Sequence, residues 1–319
     1  MGLQKPSNKS YQSKTSKPPT IWISEYHTPN DVYYHGVNEI LYQARTQYQA
    51  VTIADLGAYG RGLILDGVCQ TTEGDEPFYH EPIVHLPCLI HGKPESVLIL
   101  GGADGGSARE ALRWRSVESV FVVDIDGDVV DACRKYLPSI SRGAFEDPRC
   151  KLIIKDALDF IENTEQQFDV IIGDLTDPEK NSPSLALFTK QFFSNLKRCL
   201  KPLGTFSVMS GTASLAENSK CYPRICKTLA SVFKSVRPSQ VFVPTYGAPV
   251  GIAIATDRLQ PLVTPQELDE KISESIDGSM HVLDGNSVHG HFAVPRCLKK
   301  AIEEEAQEIT PENVAFLIE

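Results

Sequence analysis

Residues 97–126 constrain this chain more than any other stretch. They begin Val-Leu-Ile-Leu, continue Gly-Gly-Ala-Asp-Gly-Gly and Ser-Ala-Arg-Glu-Ala-Leu-Arg-Trp, and after a short link close on Val120-Phe-Val-Val-Asp-Ile-Asp126. No polar residue alternates through 97–100, the pattern of a strand buried on both faces. Four glycines in the next six residues force a tight turn. From Ser107 the text is helix-forming, with Ala108, Ala111 and Leu112 at helical spacing. A second apolar run, 120–123, ends on Asp124, about 20 residues beyond the glycines. Strand, glycine turn, helix, strand and acid make up a nucleotide-binding βαβ unit, in which the last acid accepts hydrogen bonds from ribose hydroxyls.

The glycine loop is informative where it deviates. Gly101-x-Ala103-x-x-Gly106 has alanine at the position whose glycine lets a backbone approach a pyrophosphate. The loop also carries Asp104, a carboxylate that would repel phosphate. Such a loop suits an adenosyl ligand bearing a sulfonium and an amine. The plainer alternative is an α/β turn whose glycines only allow close packing.

The rest of the chain extends this pattern. Residues 1–18, rich in Ser, Lys and Pro, are expected to be a disordered lead. No signal-peptide core is read there, and Pro6 stands where a myristoylation pattern needs Ser or Thr. Residues 19–74 carry β-prone segments at 21–24, 48–53 and 62–66, with a weaker pattern over 36–47, and are expected to form a small antiparallel β-domain. The spacing predicts a helix over 75–90 that tolerates Pro82 and Pro87. Further strands are expected at 151–154, 168–172 and 204–209, with a closing pair at 240–243 and 251–255. Helices are expected at 128–136, 157–163, 189–200 and 220–233, and Thr264-Pro265-Gln-Glu267 starts another. The fold expected for 75–300 is a doubly wound, Rossmann-like α/β sheet, followed by an acidic tail over 301–319.

At 319 residues the chain can bury a large core. Its net charge of −10 argues against a nucleic-acid partner, which requires clustered Lys and Arg. No segment is apolar and long enough to span a membrane. Eight cysteines without a CxxC pair sit mostly in apolar stretches, as in reduced core thiols of a cytoplasmic protein. His289-Gly-His291 lacks a third ligand at suitable spacing, so no metal is expected.

In open α/β sheets the ligand lies beyond the carboxyl ends of the strands. Four acids fall at such ends: Asp104, Asp124, Asp156 and Asp174. Asp124 would serve the ribose and Asp156 the adenine amino group. Asp104 and Asp174, with Asp177 following, then face the reacting end, and an acid-lined centre fits a substrate bearing several ammonium groups. Any one of these aspartates could be a turn or cap residue, and Asp177-Pro178 is a common turn start. Four in register are harder to explain that way.

The stretch from Leu65-Asp66-Gly67 through Gln70 and Asp75-Glu76 to Tyr79-His80-Glu81, the loop 101–106, Asp124-Ile-Asp126, Lys155-Asp156-Ala157 and Gly173-Asp-Leu-Thr-Asp-Pro178 resemble the aminopropyltransferases, the spermidine synthase superfamily. The resemblance spans about residues 20–300 in family order, and it implies a small N-terminal β-domain, a seven-stranded methyltransferase-like Rossmann domain and a homodimer or homotetramer. It implies decarboxylated S-adenosylmethionine as co-substrate, with no further cofactor and a polyamine as small-molecule partner. Matched by motif, Gln49, Gln70, His80, Gly101, Asp104, Asp124, Asp156 and Ala157 would bind the donor. Tyr79, Asp177 and Tyr246 would bind the acceptor, and Asp174, Tyr79 and Asp177 would form the catalytic set with Asp174 as general base.

Two departures bear on the acceptor. Spermidine synthases commonly have Tyr-Gln where this chain has Tyr79-His80. They also place a carboxylate for putrescine's far amine after the fifth strand, where this chain has Met209-Ser210-Gly211. His80 with Gly173-Asp-Leu-Thr-Asp-Pro178 resembles instead the thermospermine synthases and the microbial enzymes that aminopropylate agmatine. Four functions remain open at this point: transfer to spermidine or agmatine, plain spermidine synthesis from putrescine, methyl transfer from intact S-adenosylmethionine, and a catalytically silent binding paralogue.

Overall fold

Six strands come first: β1 (Ile21–Thr28), β2 (Asp31–Val37), β3 (Glu39–Arg45), β4 (Ala50–Asp55), β5 (Arg61–Leu65) and β6 (Val68–Thr72). In the computed structural model, which describes residues 19, 21–28, 30–178, 182, 184–214, 220–258 and 261–314, β1 and β2 pair as a hairpin and β3 to β6 form an antiparallel sheet in chain order. Asp66-Gly67 turns β5 into β6 with both residues at positive φ (47° and 91°), the geometry that an Asp-Gly hairpin turn requires. The expected lead over 1–18 lies outside the described residues.

The remaining elements alternate. They are α1 (Pro77–His91), β7 (Ser96–Gly101), α2 (Gly106–Leu112), β8 (Ser119–Asp124), α3 (Gly127–Tyr136), α4 (Pro138–Ser141), β9 (Cys150–Ile154), α5 (Ala157–Asn163) and β10 (Phe168–Asp174). Then follow α6 (Lys190–Arg198), β11 (Leu200–Thr212), α7 (Cys221–Ala230), β12 (Ser235–Phe242), β13 (Pro249–Thr256), α8 (Pro265–Ser275), α9 (Gly285–Phe292) and α10 (Arg296–Glu304). Seven strands form one sheet in the order β12-β13-β11-β10-β7-β8-β9. β11, β10, β7, β8 and β9 run parallel, whereas β13 is antiparallel to both its neighbours. The chain leaves β7 toward β8 and later returns on its other side with β10, so the strand order reverses between β7 and β10. That is where a doubly wound sheet opens a crevice.

The unalternated apolar runs have the expected cause. Val97 and Ile99 face one core, Leu98 and Leu100 the other, and all four are fully buried. Each such side chain contributes about 1.5–3 kcal/mol relative to exposure. Helix α1 passes over the sheet despite two internal prolines. Pro87 has no N–H for the carbonyl of Ile83, and Ser207 Oγ on β11 donates to that carbonyl at 2.8 Å instead. Thr205 Oγ1 likewise reaches the carbonyl of Pro87 at 3.1 Å. Buried Glu81 accepts from the backbone N–H groups of His281, Val282 and Leu283 at 2.7, 2.9 and 3.0 Å, which ties the segment before α9 to α1.

Thr264 caps α8 through a reciprocal box with Glu267, as its sequence implies. Of the expected tail over 301–319, residues 315–319 lie outside the described residues, and 301–314 is anchored: Ile309 is fully buried and its N–H reaches Thr228 Oγ1 at 2.9 Å. His289 and His291 each place one ring nitrogen 2.8 Å from a backbone carbonyl, of Val263 and Gln240 respectively. Five of the eight thiols are buried and all eight are unpaired. Among the described residues no helix is long and apolar enough to cross a membrane.

Candidate active site

The loop between β7 and α2 sets the floor of the crevice. Gly101, Gly102 and Gly105 have φ of +83°, +77° and +79°. A Cβ on Gly101 would lie 2.0 Å from the carbonyl oxygen of Asp174, so only glycine lets β7 turn there beside β10. Ala103 is not among the positive-φ residues, and its methyl therefore adds no backbone strain. It packs instead against the apolar clusters on either side.

Four carboxylates stand at the carboxyl ends of four adjacent strands: Asp174 on β10, Asp104 after β7, Asp124 on β8 and Asp156 after β9. Tyr79 Oη on α1 donates to Asp174 Oδ1 at 2.9 Å, and Ser107 Oγ on α2 donates to Oδ2 at 2.7 Å. Asp104 Oδ1 accepts from Gly106 N at 2.7 Å, while its Oδ2 lies 3.4 Å from His80 Nε2. Asp124 Oδ1 accepts from Asp126 N at 2.8 Å. Asp156 is exposed and caps α5, accepting from Leu158 N at 2.7 Å.

These environments separate the acids electrostatically. Burial raises the Asp174 carboxyl above the ordinary aspartate range, and Asp104 reinforces this against the opposing effect of His80. Asp104 goes the other way: burial would raise it, but His80, the Gly106 N–H and Arg109 together hold it below the usual value. Asp124 is pushed up to about 6, chiefly by burial, with Asp126 and Asp174 adding repulsion. Burial and the neighbouring Asp174 keep the Tyr79 phenol well above its ordinary pKa, so it remains a donor.

A buried charged layer lies behind this front. His80 Nδ1 is 2.7 Å from Glu76 Oε2, and Arg109 grips both oxygens of Glu76 at 2.8 Å. Arg109 Nε also reaches Glu110 Oε1 at 2.8 Å, and Glu110 Oε2 meets His85 Nε2 at 2.8 Å. Burial opposes charge on His80, yet Asp104 and Glu76 outweigh it and raise its pKa well above the usual histidine value. Arg109, Glu76, His80 and Asp104 thus form a row of alternating charges that ties α2 to α1. Both nitrogens of His80 are committed within it, and its ring lies edge-on to that of Tyr79 with centroids 5.4 Å apart.

Gln49 Nε2 donates to Asp126 Oδ2 at 3.0 Å, and Thr46 Oγ1 donates to the same oxygen at 2.6 Å, which joins the N-terminal sheet to the turn after β8. Gln70 Nε2 reaches the carbonyl of Val68 at 3.2 Å, and the Gln70 carbonyl accepts from Tyr246 Oη. The Tyr246 ring lies 6.1 Å from that of Tyr79. Asp75 is tied to Thr245, whose N–H and hydroxyl both reach Oδ2 at 2.8 Å. Ala157 is buried at the start of α5, and Asp177 is exposed beyond β10. A Cβ on Gly211 would lie 3.7 Å from Asp177 Oδ1 and 3.2 Å from Cys221 Sγ, so the end of β11 borders Asp177.

Tyr79, Asp174, Asp104 and His80 therefore come together, with Asp124 and Gln49 reached through neighbouring residues and Asp156 on the rim. Sequence reasoning missed Ser107, the Glu76–Arg109 pair and Asp126. The one available signal for Ser107 was its place directly after the glycines. The arrangement can bind a cation, hold an ionised carboxylate beside a phenol and accept a proton.

A family model described as the spermine/spermidine synthase domain matches residues 76–264, and one described as the spermidine synthase tetramerisation domain matches 21–73. A polyamine aminopropyltransferase of Synechococcus sp. (strain JA-2-3B'a(2-13)) is 42% identical over 302 residues, covering 92% of this chain and 96% of the relative. A thermospermine synthase of Arabidopsis thaliana is 34% identical over 283 residues, covering 88% and 83%. A crystal structure of spermidine synthase in complex with the transition state analogue AdoDATO superposes with a TM-score of 0.83 at 30% identity, covering 91% of this chain and 97% of that one. Spermidine synthase from Thermotoga maritima superposes with a TM-score of 0.81 at the same identity and coverage.

Proposed function

The chain belongs to the spermine/spermidine synthase family and is a polyamine aminopropyltransferase; from that premise we propose that it moves the aminopropyl group of decarboxylated S-adenosylmethionine to spermidine or agmatine in preference to putrescine. The hydrogen bond from Tyr79 to Asp174 at the carboxyl end of β10, beside Asp104, carries this reading. It sets a base of raised pKa next to an ionised carboxylate suited to the donor's ammonium.

An amine reaches the site as an ammonium and has no lone pair until it gives up a proton. Asp174 takes that proton, and its raised pKa makes it a better base than an exposed aspartate. The freed lone pair attacks the methylene beside the sulfonium. A C–N bond forms, the C–S electrons stay on sulfur, and neutral methylthioadenosine leaves. The new secondary amine keeps its remaining protons and its charge. All the electrons in this step come from the amine and the breaking bond, so it closes without a metal or prosthetic group. Asp124 serves the ribose, Asp156 and Ala157 the adenine, and Gln49, Gln70, His80 and Gly101 complete the donor side. Tyr79, Asp177 and Tyr246 serve the acceptor.

The acceptor preference follows from the end of β11. Ser210 Oγ is turned to its own strand, 2.9 Å from the carbonyl of Val208, and Gly211 beside Asp177 has no side chain. Neither supplies a carboxylate for the far ammonium of putrescine. A missing charge-assisted hydrogen bond costs about 1.5–3 kcal/mol, which demotes putrescine by about tenfold or more. A longer amine can place its far charge elsewhere along the acidic crevice, and spermidine would give a thermospermine-type product. Incubating purified protein with decarboxylated S-adenosylmethionine and putrescine, agmatine, spermidine or norspermidine, with products identified by mass, tests this. The specificity constant for spermidine or agmatine is expected to exceed that for putrescine by at least that factor. A clear preference for putrescine would make the protein a plain spermidine synthase.

The assembly proposed is a homodimer or homotetramer built through the N-terminal sheets. The tetramerisation-domain match over 21–73 supports it, as does the apolar surface that Ile21, Trp22, Tyr26 and Tyr34 expose on β1 and β2. Light scattering that finds only monomer at micromolar concentration would remove it.

A further inference from the structure

Asp174 ends β10 with its backbone already committed, its carbonyl accepting from Gly102 N at 3.2 Å. Its side chain is held from two helices, Oδ1 by Tyr79 of α1 and Oδ2 by Ser107 of α2. Ser107 is fully buried, and among the described residues Asp174 is the one partner of its hydroxyl. The approach depends on the glycines before it. A Cβ on Gly102 would lie 3.2 Å from Asp174 Oδ2, and one on Gly106 would lie 2.3 Å from the His80 ring. Ser107 is thus the first residue after the loop with room for a side chain in this space.

We propose that Ser107 is a positioning residue for the transfer reaction, acting through Asp174 by fixing Oδ2 and donating a charge-assisted hydrogen bond to the ionised carboxylate. At 2.7 Å this bond is in the short range typical of hydroxyl-to-carboxylate contacts. It leaves Tyr79 to set the other oxygen, so the carboxylate cannot rotate without breaking a bond to one of the two helices. It also works against burial: without it, the base would protonate at a higher pH. The other titratable groups around Asp174 are Tyr79 and His80 of α1, Asp104 of the loop, Asp124 of β8 and Tyr246. A substitution at 107 alters none of them. The inference rests on the reading of Asp174 as the base.

The test is the pH profile of kcat/KM for the wild type, Ser107→Ala, Asp174→Asn and the double variant. Decarboxylated S-adenosylmethionine is the donor, and the acceptor is whichever of spermidine, agmatine and putrescine is turned over fastest. In Ser107→Ala the acid limb is expected to move up by about one pH unit. Activity should then fall most at low pH and recover at high pH. In the Asp174→Asn background, Ser107→Ala should cause no further loss. A merely structural serine would lower the rate by the same factor at every pH, and that result, or a further loss in the double variant, overturns the proposal. Near-normal activity of Asp174→Asn alone overturns the base assignment itself, a separate outcome. Should Ser107→Ala fail to fold, Ser107→Cys keeps the volume with a weaker donor. It is expected to move the limb in the same direction, and an unmoved limb counts against the role.

Discussion

Asp174→Asn is expected to lose turnover by about a thousandfold, within the range that a positioned general base contributes, while the protein keeps its fold and its affinity for methylthioadenosine. The amide has the shape of the carboxylate, and its oxygen can still accept from Tyr79 or Ser107, but it cannot take a proton from an ammonium. The wild-type pH profile supplies a second sign. The Asp174 carboxyl lies above the ordinary aspartate range because of burial and the nearby Asp104, so activity should decline as pH falls through that raised value and protonates the base. The residual activity of Asp174→Asn should lack this limb. Steady-state kinetics from pH 5 to 9, with circular dichroism and calorimetric binding of methylthioadenosine, separate the outcomes. A variant within a few-fold of wild type would take Asp174 out of the mechanism, and lost nucleoside binding would mean that the substitution damaged the site rather than its chemistry.

The layout of this site was legible in the sequence because two rules meet in it. Apolar runs without alternation mark central strands, and 97–100, 120–123 and 168–172 all lie in such strands, within β7, β8 and β10. Ligands gather at the carboxyl ends of such strands, so the acids just beyond them were conspicuous. Less of the N-terminal region could be read. In β6, Val68-Cys-Gln-Thr-Thr72 is more than half polar, and β2 centres on Tyr33-Tyr34-His35, so neither shows a clean period of two. Helix α9 hid behind Gly285, Gly290 and two histidines, although Asp284 and Ser287 form its capping box. Inside the site, the missed contacts are those between distant parts of the chain. Glu76 and Arg109 are 33 positions apart, and Ser107 and Asp174 are 67 apart. Their pairing depends on how α1 and α2 lie against β10, which no local pattern encodes. The value of about 6 for Asp124 is of the same kind, since burial and the fields of Asp126 and Asp174 set it.

Donor discrimination should be large and should run through Asp104. The decarboxylated donor ends in an ammonium, whereas intact S-adenosylmethionine carries a carboxylate on the carbon that bears the amine. Asp104 is buried and its carboxyl is held below the usual range, so an ammonium bound there would meet a fixed negative charge. An added carboxylate would meet that same charge, and the cation closest to it offers no relief. His80 is buried, with Nδ1 on Glu76 at 2.7 Å and Nε2 turned to Asp104 at 3.4 Å. Bringing a second carboxylate there without a partner costs on the order of several kcal/mol where water is excluded. The wild type should therefore bind the decarboxylated donor at least about a hundredfold more tightly, a difference of roughly 2.7 kcal/mol. Asp104→Asn should narrow the gap from both sides: the ammonium loses its counter-charge, and the carboxylate loses its repulsion. Calorimetric titration of both proteins with both donors measures all four affinities. Equal affinity of the wild type for the two donors would leave Asp104 with no part in selecting the aminopropyl group.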